Sequence, residues 1–269
     1  MNRNNIEQIL VTGGTGTLGQ EIVKLLLTEK FNVAVLSSQE NPILPFETRI
    51  LKGNLTDKKS IIDATNNVDI IVHCASDSRN SKVVDIEGTK NLLETITNSK
   101  FQHFIYVSIT GVDKSHFPYY QDKYKVEKII RGSSIQWSIL RATQFHDLIL
   151  HRIIKPLDKG IGSPIKVPKN MRFQSIDKIE VAKRVVELII EGPTNSTITI
   201  GGPEVLAIEE MVQLYLNALG RNEKIESTSS VNELYNLFSS GINLCPEYTY
   251  GKITWEQYIN SITKNNNNG

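Results

Sequence analysis

The stretch Val11-Thr12-Gly13-Gly14-Thr15-Gly16-Thr17-Leu18-Gly19 decides the fold of this chain. A short apolar run precedes the glycines and an amphipathic pattern follows them, which is the strand–turn–helix context of a diphosphate-binding turn. Gly13 permits the tight turn, Gly16 lets the backbone approach the ligand, and Gly19 lets the helix pack on the strand. The helix N-terminus offers backbone amides and partial positive charge to an anion. We predict pyrophosphate contacts from Gly13, Thr15, Gly16, Thr17, Leu18 and Gly19.

Apolar runs alternate with amphipathic stretches through the first half of the chain. This alternation is typical of a parallel sheet with crossover helices. It predicts six strands: Ile6 to Val11, Asn32 to Ser37, Arg49 to Lys52, Asp69 to Cys74, Phe104 to Ser108 and Trp137 to Arg141. The predicted helices are Leu18 to Glu29, Lys58 to Ala64, Val83 to Thr97 and Tyr119 to Arg131. The predicted fold class is α/β, a Rossmann-type doubly wound parallel sheet.

Glycine and proline interrupt this alternation after Arg141. A helix then follows at Asp177 to Ile190, a strand at Thr197 to Ile200 and a helix at Ile208 to Leu219. We interpret residues 1–150 as the dinucleotide-binding domain. Residues 151–269 are expected to form a smaller C-terminal region, not independent, that packs on the sheet on the substrate side.

The composition excludes several classes of protein. Lys and Arg number 30 against 29 Asp and Glu, so neither nucleic acid nor an anionic membrane is a predicted partner. The cysteines, Cys74 and Cys245, form neither a disulfide framework nor a zinc pattern, and the five histidines lack metal-site spacing. No signal-peptide core or membrane-spanning apolar stretch occurs. We expect a cytoplasmic protein, monomer or homodimer, without a metal.

Several stretches resemble a known family. The glycine spacing, Gly53-Asn54-Leu55-Thr56-Asp57, Tyr106-Val107-Ser108 and the segment Pro118 to Lys123 are similar to motifs of the short-chain dehydrogenase/reductase superfamily. Ile139 to Phe145 and Ile200 to Glu204 resemble segments of its atypical, NmrA-like branch. The resemblance covers nearly the whole chain and implies an NAD(P)-binding fold. That branch includes reductases, isomerases and redox sensors without turnover.

The end of the second predicted strand should meet the adenosine ribose. The stretch Leu36-Ser37-Ser38-Gln39-Glu40 has neither the Arg that many NmrA-like proteins use for a 2′-phosphate nor an Asp for a 2′-hydroxyl. Because the hydroxyls of Ser37 and Ser38 can donate to a phosphate, we predict NADP slightly ahead of NAD. Glu40 would reverse this preference if it folded inward.

Small or polar residues at other strand ends complete the predicted cofactor site. Asn54, next to Leu55, offers an acceptor to the adenine amine, although a role as a turn residue explains it equally well. Ala75 and Ser76 follow the fourth predicted strand and should lie beside the nicotinamide, because ligands bind at the carboxyl ends of the strands.

Three residues form the predicted catalytic set. Tyr119 and Lys123 stand four apart on a predicted helix and so project from one face. Ser108 ends a central strand. The resemblance implies that Tyr119 donates a proton to a carbonyl oxygen, Lys123 binds the nicotinamide ribose and lowers the Tyr119 pKa, and Ser108 hydrogen-bonds the substrate. The separation of Ser108 from Tyr119 is short for this triad, and Tyr120 could compete with Tyr119.

Two functions are compatible with these residues. The first is an NAD(P)H-dependent reductase of a small carbonyl or quinone-like substrate, which needs the glycine turn together with the catalytic set. The second is a non-catalytic NAD(P) redox sensor, which needs the glycine turn and Lys123 but not Tyr119. The sequence favours the enzyme.

Overall fold

A computed structural model describes residues 6–45, 48–96, 100–229 and 233–266. Its strands are β1 Ile9–Thr12, β2 Val33–Ser37, β3 Arg49–Lys52, β4 Ile70–His73, β5 His103–Ile109, β6 Trp137–Ala142, β7 Ile165–Pro168, β8 Arg172–Phe173, β9 Thr197–Ile200, β10 Leu206–Ala207 and β11 Ile225–Thr228. Its α-helices are α1 Thr17–Thr28, α2 Lys58–Thr65, α3 Gly88–Thr95, α4 Pro118–Arg131, α5 His146–Ile149, α6 Lys155–Leu157, α7 Lys178–Glu191, α8 Ile208–Ala218, α9 Glu233–Ser240 and α10 Trp255–Asn266.

Within the described ranges, three further helical segments differ from the α-helical geometry. Lys82–Glu87 is a π-helix that continues directly into α3. Leu150–Ile154 is a π-helix between α5 and α6, and Pro246–Tyr248 is a 3₁₀-helix.

The central sheet has seven strands in the order β3-β2-β1-β4-β5-β6-β9. The pairings β2–β3, β1–β2, β1–β4 and β4–β5 are parallel. The chain order reverses between β1 and β4, so that their carboxyl ends flank the switch point at which this class of sheet binds ligands. The predicted Rossmann-type α/β fold is confirmed.

Burial explains why these strands form a parallel sheet. Every residue of β1, β2 and β4 is buried, as expected for strands covered on both faces. Apolar side chains of α2, α3 and α4 pack on one face in a cluster that includes Leu10, Ile71 and Phe104. The first helix, α1, contacts β1 and β2. Helix α1 follows the glycine turn, in which Gly14 faces the Val35 side chain. Val35 is not part of that cluster, whereas the residues before and after it on β2 are.

All six predicted strands of the first half are present, with ends shifted by three residues or fewer. Thr197–Ile200 also forms the predicted strand, and it is the seventh strand of the central sheet, next to β6. The helix predicted from Val83 begins as a π-helix, and its predicted end at Thr97 lies outside the described residues.

Residues divide into two compact units by their contacts, each made of several segments. The first contains residues 1–108, 118–141 and 179–198. The second contains residues 109–117, 142–178 and 199–269, and it includes the small sheets β8–β10, which is antiparallel, and β7–β11, which is parallel. The glycine turn, Tyr119 and Lys123 all belong to the first unit.

Candidate functional site

The glycine turn is packed so closely that side chains are excluded at two positions. Gly13 has a positive φ of 71°, and a Cβ there would lie 2.5 Å from the Ala75 backbone nitrogen. A Cβ at Gly19 would lie 2.1 Å from the Gly13 carbonyl oxygen. Gly16 differs, because its φ of −79° suits any residue and its Cβ would meet only the Gly13 oxygen, at 3.2 Å. A Cβ at Gly16 is therefore less hindered than one at Gly13 or Gly19.

The N-terminus of α1 is open in the way that an anion site requires. Gly16 is the N-cap and is exposed, no side chain of the described residues caps the helix there, and the first turn holds no acidic residue. Thr15 and Thr17 flank it, whereas the Leu18 side chain is buried in the core and leaves only its backbone amide for a ligand. These features fit a pyrophosphate bound by backbone amides beside Gly16.

The strand ends that should meet the adenosine carry hydroxyl and amide groups. Ser37 is buried and its Oγ accepts from the Gln39 backbone N–H at 3.2 Å, while Ser38 is exposed. Asn54 is exposed and its Oδ1 accepts from the Thr56 backbone N–H at 3.0 Å, which is a turn contact. Leu55 is buried against Gly88.

Tyr119 stands at one end of a short hydrogen-bonded chain. Its hydroxyl lies 2.8 Å from Ser76 Oγ, and Ser76 Oγ donates to Asp85 Oδ1 at 2.5 Å. The other carboxylate oxygen of Asp85 accepts from the Asp77 backbone N–H at 3.0 Å. Burial is the main factor that raises the pKa of Tyr119 to about 12, with smaller increases from the charges of Asp85 and Asp77 and an opposing effect of the Ser76 hydrogen bond.

Lys123 approaches the same carboxylate from α4. Its Nζ donates to the Val107 carbonyl oxygen at 3.0 Å, lies 3.8 Å from Asp85 Oδ1 and lies 4.4 Å from the centroid of the Tyr106 ring. Burial lowers the pKa of this lysine, while the charge of Asp85 acts in the opposite direction. Tyr119, Lys123 and Ser76 therefore converge on Asp85.

Ser108, the third predicted catalytic residue, belongs to a different group. Its Oγ donates to Glu127 Oε1 at 2.6 Å, and Glu127 is fully buried. The same carboxylate accepts from Arg141 through Nε and a terminal nitrogen, at 2.8 and 2.7 Å, and from Arg131 at 2.7 Å. The structure thus brings together two of the three predicted catalytic residues and ties the third to a buried ion-pair network.

The sequence interpretation missed Asp85 and Glu127. Each is an acid buried in the apolar side of a helical segment, alongside Ile86 in one case and Val126 in the other. A charge within a predicted apolar stripe requires a partner. That signal was available for Glu127, which lies four residues after Lys123 and four before Arg131.

A buried histidine links β1 and β4 beneath this site. His73 Nδ1 lies 2.6 Å from Thr12 Oγ1, and His73 Nε2 lies 2.9 Å from Thr89 Oγ1. Burial, and secondarily the charge of Lys123, lowers the pKa of His73 to about 3. Both ring nitrogens have protein partners, so this histidine acts as a neutral structural connection.

Two kinds of feature are absent from the described residues. No cluster of three or more His, Cys, Asp or Glu side chains suited to a metal ion occurs among them. None of the helices in the described part of the chain has the length and apolar character needed to cross a membrane.

Comparison with known proteins identifies the family. Residues 13–191 match the profile of a family described as NAD(P)H-binding. Photosystem II assembly factor Ycf39 of Trieres chinensis is 22% identical over 91% of this chain and 81% of its own length. The chloroplastic divinyl chlorophyllide a 8-vinyl-reductase of Arabidopsis thaliana is 24% identical over 80% of this chain and 58% of its own length.

A similar fold occurs in a solved structure with a bound nucleotide. An NADPH-dependent quinone oxidoreductase of Escherichia coli, complexed with NADPH, superposes with a TM-score of 0.76 at 13% identity and covers 94% of this chain and 99% of its own. At this identity, the likeness is one of fold.

Proposed function

The chain belongs to the NAD(P)H-binding family, and on that premise we propose that it is an NAD(P)H-dependent reductase of a small carbonyl or quinone-like substrate. The observation that carries the proposal is the convergence of Tyr119, Ser76 and Lys123 on Asp85 within the unit that holds the glycine turn. The nicotinamide would supply a hydride. The chain would bind the pyrophosphate at the glycine turn and donate the proton that completes the alcohol.

Tyr119 is the proposed proton donor. The hydroxyl is protonated at neutral pH, which is the state that general acid catalysis of a reduction requires. Burial raises its pKa to about 12, so the lowering by Lys123 that the resemblance implied is not found, and without ligand Tyr119 is a weaker acid than a free tyrosine. Transfer of that proton to the carbonyl oxygen, as the carbonyl carbon accepts the hydride, leaves an alcohol and a phenolate. Lys123 is the proposed ribose contact. Its Nζ already donates to the Val107 carbonyl, and an ammonium has three protons to donate.

The loss of NADPH or NADH absorbance across a panel of quinones, aldehydes and ketones tests the proposal. We expect Tyr119→Phe to reduce kcat by about 10² to 10⁴-fold while the dissociation constant of the nucleotide changes less than twofold. Tyr120→Phe is the matched control, since Tyr120 is the buried neighbour of Tyr119 on α4 and should keep most of the turnover. The opposite result would assign the proton to Tyr120.

We propose NADP as the preferred nucleotide, supported by a lysine on the neighbouring strand. Lys52 ends β3 directly beside Ser37, the last residue of β2, in the parallel register. Paired residues of parallel strands share a face of the sheet, so Lys52 brings an exposed cation to the side of Ser37. This cation takes the place of the absent arginine near the expected 2′-phosphate.

Removing the lysine tests this preference independently of turnover. Lys52→Ala should weaken NADPH binding by about tenfold, the scale of one exposed charge-assisted hydrogen bond, and leave NADH binding unchanged. Lys59→Ala, which removes an exposed cation from α2, is the control. An equal loss of affinity for both nucleotides would refute a role in recognising the 2′-phosphate.

A second candidate is an NAD(P)-binding protein without turnover. One observation favours it: the hydroxyl protons of Tyr119 and Ser108 are both engaged within the protein, with Ser76 and Glu127. The similarity to an assembly factor agrees with such a role. Tight nucleotide binding with no turnover anywhere on the panel would select this function.

A further inference from the structure

The protons of the Tyr119 chain can be assigned from the number of donors and acceptors. A carboxylate only accepts, and a hydroxyl has one proton to donate. Because the Ser76 hydroxyl donates to Asp85, Ser76 has only lone pairs to offer Tyr119. The contact of 2.8 Å between the two hydroxyls is therefore a hydrogen bond from Tyr119 to Ser76.

Asp85 itself is held from several sides. The residue is 1% exposed. Its Oδ2 accepts from the Asp77 backbone N–H, and its carbonyl oxygen accepts from Thr89 Oγ1 at 2.5 Å. The π-helical geometry of Lys82–Glu87 leaves Asp85 and Ile86 buried while Val83 is 42% exposed. These contacts fix the position of the Asp85 carboxylate beside Ser76.

We propose that Asp85 is a positioning residue for Tyr119: by holding the Ser76 proton, it makes Ser76 an obligate acceptor and so fixes the direction of the Tyr119 O–H bond. This inference rests on the proposed function, in which Tyr119 donates a proton. Asp85 touches neither substrate nor nicotinamide in this role. It acts only through Ser76 and through its charge.

The charged groups around Tyr119 set the sign of the expected pH effect. Asp85 approaches from the π-helical segment, Asp77 from the loop after β4, and Lys123 from α4 beside Asp85. The two acids disfavour the phenolate, so removing one of them lowers the pKa of Tyr119. A reductase that needs the protonated tyrosine then loses activity at a lower pH.

Asp85→Asn reverses the direction of the hydrogen bond between residue 85 and Ser76, because an asparagine side chain has nearly the same shape as aspartate but carries an NH₂ group that donates. The asparagine amide has one accepting oxygen, which the Asp77 backbone N–H requires, and its NH₂ then faces Ser76. The Ser76 proton is free to turn toward Tyr119 and to stabilise the phenolate. With the charge of Asp85 lost and the Ser76 proton released, we expect the titration midpoint of Tyr119 to fall by about one to two units relative to the unsubstituted protein.

Asp122→Asn is the matched control. Asp122 is also an acid that accepts from a serine hydroxyl, Ser81 Oγ at 2.6 Å, and it stands beside Lys123 in the sequence. This variant removes the same charge from the same neighbourhood without breaking the chain to Tyr119. Its Tyr119 midpoint should remain that of the unsubstituted protein.

The experiment measures the Tyr119 midpoint directly and the turnover in parallel. Tyrosine labelled with ¹³C at Cζ gives one resonance per residue, and loss of a resonance in Tyr119→Phe assigns it. Titration to pH 10.5 should leave the Tyr119 resonance unshifted in the unsubstituted protein and in Asp122→Asn, and shift it in Asp85→Asn. Over the same pH range, kcat should stay constant in the unsubstituted protein and in Asp122→Asn, and it should fall about twofold in Asp85→Asn.

The outcomes separate the two proposals. An unshifted Tyr119 resonance in folded Asp85→Asn would overturn the positioning role, whatever its turnover. A shifted resonance together with no turnover in the unsubstituted protein would refute the reductase and, with it, the catalytic purpose of the positioning. If Asp85→Asn does not fold, Ser76→Ala should lower kcat at least tenfold, and Ser76→Thr should restore it. Equal kcat in Ser76→Ala would also overturn the role.

Discussion

Gly16→Ala should weaken nucleotide binding and leave the stability of the protein nearly unchanged, whereas Gly19→Ala should destabilise the protein. At Gly19, the new Cβ would lie 2.1 Å from the Gly13 oxygen and 2.7 Å from Gly14 Cα, both backbone atoms. Those atoms must move by about 1 Å, since overpacking against the backbone has no flexible side chain to displace. At Gly16, the Cβ meets one oxygen at 3.2 Å in an extended backbone.

The magnitudes follow from these contacts. Overpacking costs about 1–3 kcal/mol, so Gly19→Ala should lower the Tm of the unliganded protein by about 2 to 5 °C for a chain of this size. For Gly16→Ala, a weaker N-cap of about 0.5–1 kcal/mol and a reduced unfolded-state entropy of about 0.4–1 kcal/mol nearly cancel. Its Tm should therefore change by about 2 °C or less. The added methyl nevertheless occupies the approach to the amides of α1, so that nucleotide affinity should fall at least about tenfold, or 1.4 kcal/mol.

Thermal unfolding without ligand and nucleotide titration by fluorescence measure the two effects separately. The reasoning about the turn is wrong if Gly16→Ala binds NADPH and NADH as tightly as the unsubstituted protein. It is also wrong if Gly16→Ala loses as much Tm as Gly19→Ala, because the glycine would then be required by the fold and not by a ligand.

Further predictions concern the residues around the site. Glu127→Ala should destabilise the protein by about 3–5 kcal/mol, because it removes the buried carboxylate that accepts from two arginines and from Ser108. Glu187→Ala, which removes an exposed partner of Arg184, should cost about 0.5 kcal/mol in the same urea unfolding assay. His73 binds a proton in the unfolded chain below pH 6.5 but in the folded protein only near pH 3. The free energy of unfolding should therefore fall by about 1.4 kcal/mol for each unit by which the pH is lowered between 6.5 and 3. Urea unfolding of His73→Gln should lack that contribution to the pH dependence.

Much of the fold was predictable because it depends on local sequence. Most strands of the first half are apolar runs whose ends are marked by glycine or polar residues, and the glycine turn has no room for a Cβ at Gly13 or Gly19. The place of Thr197–Ile200 in the central sheet was not predictable in this way. The local sequence predicts where this strand begins and ends. It does not predict that the strand lies next to β6, which is far away in the sequence.

The candidate site was predictable only in part, because hydrogen-bond partners depend on tertiary packing. The four-residue spacing predicts Tyr119 and Lys123 on one side of a helix. In the structure, Lys123 lies near the Asp85 carboxylate that also accepts from Ser76, and Ser76 contacts Tyr119. Asp85 was missed because an α-helical register from Val83 does not describe a π-helix. The number of residues per turn changes there, and with it the side of the helix that each residue occupies.

The hydrogen-bond donors decide what each hydroxyl of the site can do for a carbonyl substrate. A carbonyl oxygen accepts and needs a donor. Ser108 has given its only proton to Glu127, which two arginines hold in place, so it can meet a substrate only with lone pairs. Tyr119 has a proton, and its present acceptor is a neutral serine oxygen. Because a charged carboxylate is a stronger acceptor than a neutral hydroxyl, a carbonyl oxygen competes for the Tyr119 proton on far better terms than for that of Ser108.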